Sequence, residues 1–320
     1  MSLQFYSTIA KASDKPPNKR KPRKRTKVTE TQRRSEALQK FMSNAMRLDL
    51  VSGFRTFKKR VSAEALMGAW KSGDYSKLFA HIPWDKLPGD LGKANAAVAR
   101  TAQKAGEMQL EILPPNINKK LRFDVENPVL RTYLQKRTAE LVTRVNADTK
   151  TVIRDAVTRS FTTAVTPRQV ADQIKGSIGL LPSHALAVEK YREGLVEAKV
   201  APAQVEKLAD AYADKLLDYR AMNIARTETR GAINQGQLSV WREGVNQGYI
   251  DRETAEKEWL VDGAPCPICE PMDGTRVGID DAFEVTYPDG TVEYVQTPSE
   301  IHPSCQCSMA LHFGETEIDQ

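Results

Sequence analysis

The first 265 residues of this 320-residue chain contain no cysteine, and only four histidines occur anywhere in it. Thiols scattered through a core are thereby excluded over most of the chain. No apolar run approaches the roughly 18 residues a membrane-spanning helix needs, which argues against a membrane span. No Gly-x-x-x-x-Gly-Lys motif is present to cradle phosphates, which argues against a P-loop nucleotide enzyme. Met1-Ser-Leu-Gln-Phe-Tyr6 lacks the charged start and long apolar stretch of a signal peptide. The expectation is a soluble, intracellular chain whose cysteines are not in disulfides.

The cysteines that are present are concentrated in the last 55 residues, as Cys266-Pro-Ile-Cys269 and His302-Pro-Ser-Cys305-Gln-Cys307. A Cys-x-x-Cys turn presents two thiolates from one knuckle. A Cys-x-Cys on an extended segment aims both side chains to one face, because strand side chains alternate. Together the pairs supply four soft ligands, the donor set of a structural Zn²⁺ site. Between them, Phe283–Tyr287 and Thr291–Val295 alternate in character around Pro288-Asp289-Gly290, a hairpin signal. A knuckle, a hairpin and a second cysteine pair have too little core to stand alone, and a metal would close the unit. The reading is one Zn²⁺ on Cys266, Cys269, Cys305 and Cys307. His302 is the alternative ligand, or a residue behind the ligands, and buried free thiols are the competing interpretation.

Charge is as unevenly placed as cysteine. Residues 1–36 hold 11 Lys or Arg against Asp14, Glu30 and Glu36, a balance of +8 out of a net +6, so the remaining 284 residues carry −2. Lys15 to Lys27 contains three prolines and no other apolar side chain, and this segment is expected to be disordered when free. Lys19, Arg20, Lys21, Arg23, Lys24, Arg25 and Lys27 are the candidate contacts to nucleic acid or another anionic partner. A flexible polycation binds by displacing counterions and reads no sequence. No interleaved aromatics mark a stacking platform, and docking on an acidic protein surface is the alternative.

The middle reads as helix throughout. An amphipathic helix is expected from Ser35 to about Leu50, and a second follows the cap Ser62 and ends near Gly73. A third runs from Leu91 to about Leu110, and a long one from Asn127-Pro128 to about Phe161. Thr166-Pro167 opens the next, and helices over Ala203–Leu217 and Asp218–Gly244 follow. The fold class is mainly α: a multi-helix body with a small C-terminal α+β module and a disordered basic N-terminal arm. The expected divisions are the arm at 1–36, an N-terminal helical region at 37–118, a helical body at 119–245, the cysteine-containing module at 246–313 and a tail at 314–320.

Several of these segments, taken in order, carry a resemblance. Phe123-Asp-Val-Glu-Asn-Pro128, Thr149–Arg154, Arg220-Ala-Met-Asn-Ile-Ala-Arg-Thr-Glu228, Asn234, Gly236 and Trp241 come first. Lys257-Glu-Trp259, the first cysteine pair, Asp273-Gly274 and His302-Pro-Ser-Cys305-Gln-Cys307 complete the pattern. Residues 123–310 resemble the minor head, or head morphogenesis, proteins of tailed phages, the phage Mu F-like group. The pattern's last pair commonly reads Cys-Arg-Cys, and here Gln306 holds the middle position. The resemblance implies a virion or procapsid component, in the capsid interior or at the portal vertex, and in host cytoplasm during assembly. It implies the portal and capsid or scaffold proteins as partners, non-specific contact with phage DNA, a part in DNA retention or ejection, and no catalysis. It also implies that Arg226 and Glu228 fasten the last long helix to the cysteine module. Arg226 and Arg230 lie one turn apart, within reach of acidic groups such as Glu228 or Asp262.

Two rival readings use the same residues. A metal-dependent nuclease of the HNH type needs a general-base histidine beside a metal-binding His or Asn, and no such pair lies between the cysteine pairs. A zinc-containing DNA-binding regulator needs a recognition helix, and none stands out in a body of balanced charge.

Overall fold

A computed structural model describes residues 29–74, 76–124, 126–160, 166–263, 265–313 and 316–317. The basic contacts expected between Lys19 and Lys27 lie outside the described residues. The chain is mainly helical, with a small antiparallel sheet and a hairpin at its C-terminal end.

Helix α1 spans Glu30–Arg60, so it starts inside the stretch assigned to the basic arm and runs well past Leu50. The reason is local. The Thr29 hydroxyl caps the Gln32 amide at 3.1 Å, and Glu30 pairs with Arg33 and Arg34 one turn on. Two of the arginines counted as arm therefore lie inside a helix. Lys58, Lys59 and Arg60 sit in the last turn, where the helix dipole favours cations.

Helix α2 (Ala63–Lys71) is capped by Ser62 as its sequence suggests, and α3 spans Gly92–Ile112. Helix α4 covers Pro128–Ser160. Helix α5 (Pro167–Ser177) carries a full capping box between Thr166 and Gln169. Helix α6 follows at Pro182–Glu197. Leu50, Phe54 and Phe57 of α1, Ala94 and Val98 of α3, Val152 and Ile153 of α4 and Ala221 and Ala225 further on form one buried core.

Where two helices were expected to meet at Leu217 and Asp218, a single helix α7 runs unbroken over Pro202–Asn246, 45 residues and about 68 Å long. No proline or glycine marks a stop there, and the Asp218 carboxylate pairs with Arg47 of α1 instead of capping a new helix. Gly236 lets α7 lie hard against α3, since a Cβ there would run into the Ala102 carbonyl oxygen.

Helix α7 is a spine shared by two cores. Ala209 to Ala232 belong to the helical core, whereas Leu238, Val240, Trp241 and Val245 belong to a second one. That second core adds Leu113, Ile117 and Leu121 from the segment after α3 to the apolar residues of the C-terminal strands. The cysteine module is thus seated on residues from far upstream. Its strands are β1 (Glu256–Leu260), β2 (Arg276–Gly278), β3 (Phe283–Thr286), β4 (Val292–Val295), β5 (Ser308–Phe313) and β6 (Thr316–Glu317). One antiparallel sheet has the order β2-β1-β5-β6, with Lys257 opposite Leu311 and Trp259 opposite Met309. The expected hairpin forms from β3 and β4, turning through Gly290 at φ +86°. Trp259 and Phe283 meet edge-on at 5.2 Å and join the hairpin to the sheet. Among the described residues no helix is long and apolar enough to cross a membrane.

Candidate metal centre

Cys266 and Cys269 occupy a tight turn after β1. The Glu270 amide closes it onto the Cys266 carbonyl at 2.9 Å, and the Cys269 amide faces the Cys266 sulfur at 3.4 Å. Cys305 and Cys307 lie on the extended segment entering β5, just after Ser304, whose φ of 58° bends the chain. That segment brings the second pair against the first.

The donors converge. Cys269 Sγ lies 3.9 Å from Cys305 Sγ, and His302 Nε2 lies 3.1 Å from Cys266 Sγ and 3.3 Å from Cys269 Sγ. Two trios, Cys266–Cys269–His302 and Cys269–Cys305–Cys307, each have their donor atoms within 4.8 Å of one another, and Cys269 belongs to both. A tetrahedral ion with ordinary metal–sulfur and metal–nitrogen bonds separates its ligands by about 3.8 Å (S···S) and 3.6 Å (S···N). The Cys269–Cys305 separation matches such an ion, and the two sulfur–imidazole separations are a few tenths of an ångström short of it, so small side-chain shifts would seat a metal. His302 is a full member of the cluster: its Nδ1 lies 2.9 Å from the Pro303 carbonyl. A proton donated there leaves the Nε2 lone pair facing the sulfurs.

The electrostatics point the same way. A sulfur–sulfur hydrogen bond with Cys269, helped by His302, draws the Cys266 thiol down to about 4. Contacts with Cys269 and Cys307 likewise pull Cys305 well below the ordinary thiol value. Cys269, crowded by Cys266, Cys305 and Cys307, is pushed up. Burial opposes a charge on His302, yet its contacts with Cys266 and Cys305 raise it to about 11. Thiols this close cannot all ionise unaided, and a bound cation would let them do so.

The two residues expected to fasten α7 to this module do not do so. Arg226 is exposed and has no ion pair among the described residues. Glu228 is 2% exposed, but it faces α4: it accepts from Arg137 at 2.9 and 3.1 Å and from Arg144 at 3.1 Å. The fastening is done by their neighbours. The Thr227 hydroxyl accepts the Ser304 amide at 2.8 Å, and the Asn234 side chain donates to the Cys307 carbonyl at 3.4 Å. Arg230, expected to pair with an acidic group, is fully buried between them and donates to the Gln39 side chain of α1. The available signal was this polar series (227, 230, 234), at helical spacing on an otherwise apolar face. Lys257 was missed as well. It is fully buried, gives its ammonium to the Gln296 side chain and carbonyl at 2.9 and 3.1 Å, and lies over the Phe283 ring.

No family model, curated protein or solved structure matches the chain.

Proposed function

We propose that the chain is a minor head, or head morphogenesis, protein of a tailed phage, built around a structural zinc site and acting without catalysis. One observation carries the reading. Several pieces of the resemblance meet at one joint between α7 and the module: Thr227 and Asn234 hold the Ser304–Cys307 loop, and Trp241 and Trp259 share a core with Cys269, Cys305 and Cys307, while Arg220 and Glu228 face the helical body. Pieces of the pattern that meet in space support reading them as parts of one structural unit.

Zinc is the ion that a closed set of thiolates and one imidazole suits best. We take Cys266, Cys269, His302 and Cys305 as the ligand set, because His302 Nε2 lies against two sulfurs and Cys269 lies against Cys305; Cys307, grouped with Cys269 and Cys305, is the rival fourth ligand that the spacing alone suggests. Once bound, the ion supplies cross-linking and charge balance, and the protein's residues do the rest. The knuckle positions two sulfurs, the Pro303 carbonyl orients the imidazole, and Thr227 holds the second loop.

In this role the module and helical body would be mounted at the portal vertex or capsid interior, with the portal and capsid or scaffold proteins as partners. The basic arm would contact packaged DNA without reading sequence. Procapsids assembled with and without the chain test the proposal. Without it, assembly, DNA retention or infectivity should fall, and unchanged values in all three would refute the assignment. Deleting residues 11–34 should abolish a weak DNA affinity that collapses as salt rises. Unchanged DNA binding would assign the arm to a protein surface.

A further inference from the structure

Two arginines of α7 are buried to a similar degree and treated differently. Arg220 donates to the Gly179 carbonyl at 2.8 Å and pairs with Asp148 at 2.6 Å, so its charge is met. Arg230 is wholly buried and, among the described residues, has only the neutral Gln39 side chain as a hydrogen-bond partner. Its Nε and Nη1 find no hydrogen-bond acceptor, and no carboxylate lies within ion-pair distance among the described residues. A buried guanidinium without a counter-charge is strongly unfavourable, so the chain should not keep one unless something else balances it.

The balancing charge is at hand in the cysteines. Arg230 lies about one helical turn from both Thr227 and Asn234 on α7, the two residues that hold the loop carrying Cys305 and Cys307. A divalent ion with three cysteinates and a neutral imidazole keeps one negative charge, buried beside this arginine.

We propose that Arg230 is the internal counter-ion of the metal–thiolate centre, a positioning residue that makes the bound, ionised state of the cysteines cheaper than the metal-free one. The inference rests on the metal reading above. It assigns Arg230 a role that ordinary packing would not: it contributes more to the metal-bound protein than to the metal-free one.

The test uses the full chain with zinc, titrated against a chelator, and urea unfolding of the metal-free form. Arg230→Met should weaken zinc binding about tenfold or more, with Arg230→Lys in between. In urea unfolding, metal-free Arg230→Met should differ from metal-free wild type by less than the zinc-loaded forms differ from each other. Unchanged zinc affinity in Arg230→Met would overturn the role, and so would a loss matched by equal destabilisation of the metal-free form. Should Arg230→Met fail to fold, Arg230→Lys must still bind zinc more tightly than Arg230→Gln, and the reverse order refutes the proposal. Wild-type protein that takes up no zinc removes the metal reading and this one together. Normal uptake by wild type and by Arg230→Met removes only this one.

Discussion

The helical body and the cysteine module share one helix and hold together by different means. The body buries repeating apolar stripes from α1, α3, α4 and α7 in one large core. The module has short strands, a few aromatics and a cluster of five soft donors, and it borrows Leu113, Ile117, Leu121 and Trp241 to complete its core. Redundancy is the difference. A body with many apolar contacts tolerates the loss of any one, whereas a module that a bound ion would close should fail as a unit when the ion is lost.

The largest effect should therefore come from the one donor common to both trios. Cys269→Ser, or removal of zinc by a chelator, should abolish metal binding and deprotect residues 256–313 in hydrogen exchange. A structural zinc site is worth on the order of 10 kcal/mol. Exchange should also quicken in the last turns of α7, around Leu238–Val245, because they share the module's core, while α1 to α5 keep their protection. Global unfolding in that variant would make the two regions one cooperative unit and break the comparison. Within the site, His302→Ala should cost as much zinc affinity as Cys305→Ser, and Cys307→Ser clearly less. The opposite ranking restores the four-cysteine set.

Much of the contrast was readable in the residues. Apolar periodicity located nearly every helix, and the capping residues Ser62 and Thr166 marked two starts to the residue. The hairpin and both cysteine pairs were legible because turn chemistry and ligand spacing are local. What escaped was set by contacts distant in sequence. Asp218 looks able to begin a helix until Arg47 takes its carboxylate. Assigning the fastening role to Arg226 and Glu228 erred because each helix residue turns the side chain by about 100°. Thr227 consequently faces the loop, Glu228 faces α4 and Arg226 faces solvent. His302 could not be ranked against the cysteines from spacing, since only the fold brings Nε2 next to two sulfurs.

A change of intermediate size should separate the regions from the body's side. Glu228→Gln leaves the Arg137 and Arg144 guanidiniums facing a neutral amide, a broken buried pair that costs about 3 kcal/mol or more. The thermal midpoint of the body should drop while zinc affinity stays at the wild-type value. A parallel fall in zinc affinity would mean that Glu228 does serve the module after all.

The smallest effect concerns Lys257, the module's buried cation, and it is read from pH. Burial, reinforced by the nearby Arg242 charge, lowers its pKa from an ordinary value near 10.5 to about 8, against the pull of Glu300, Asp280 and Asp281. Below pH 8 the folded and unfolded chains both carry the proton, and the cost of burying the ammonium is constant. Between about pH 8 and 10.5 the unfolded chain still holds a proton that the folded chain has released. Stability then rises with pH wherever the unfolded state binds more protons. The cysteines of the unfolded chain titrate in the same range, so the observable is the difference between zinc-loaded wild type and zinc-loaded Lys257→Met, in which their contributions cancel. Urea unfolding at pH 7 to 10 should show wild type gaining on the variant above pH 8 and running parallel to it below. A flat difference would mean that Lys257 stays charged when folded, with its links to Gln296 and the Phe283 ring sufficient to hold a buried ammonium.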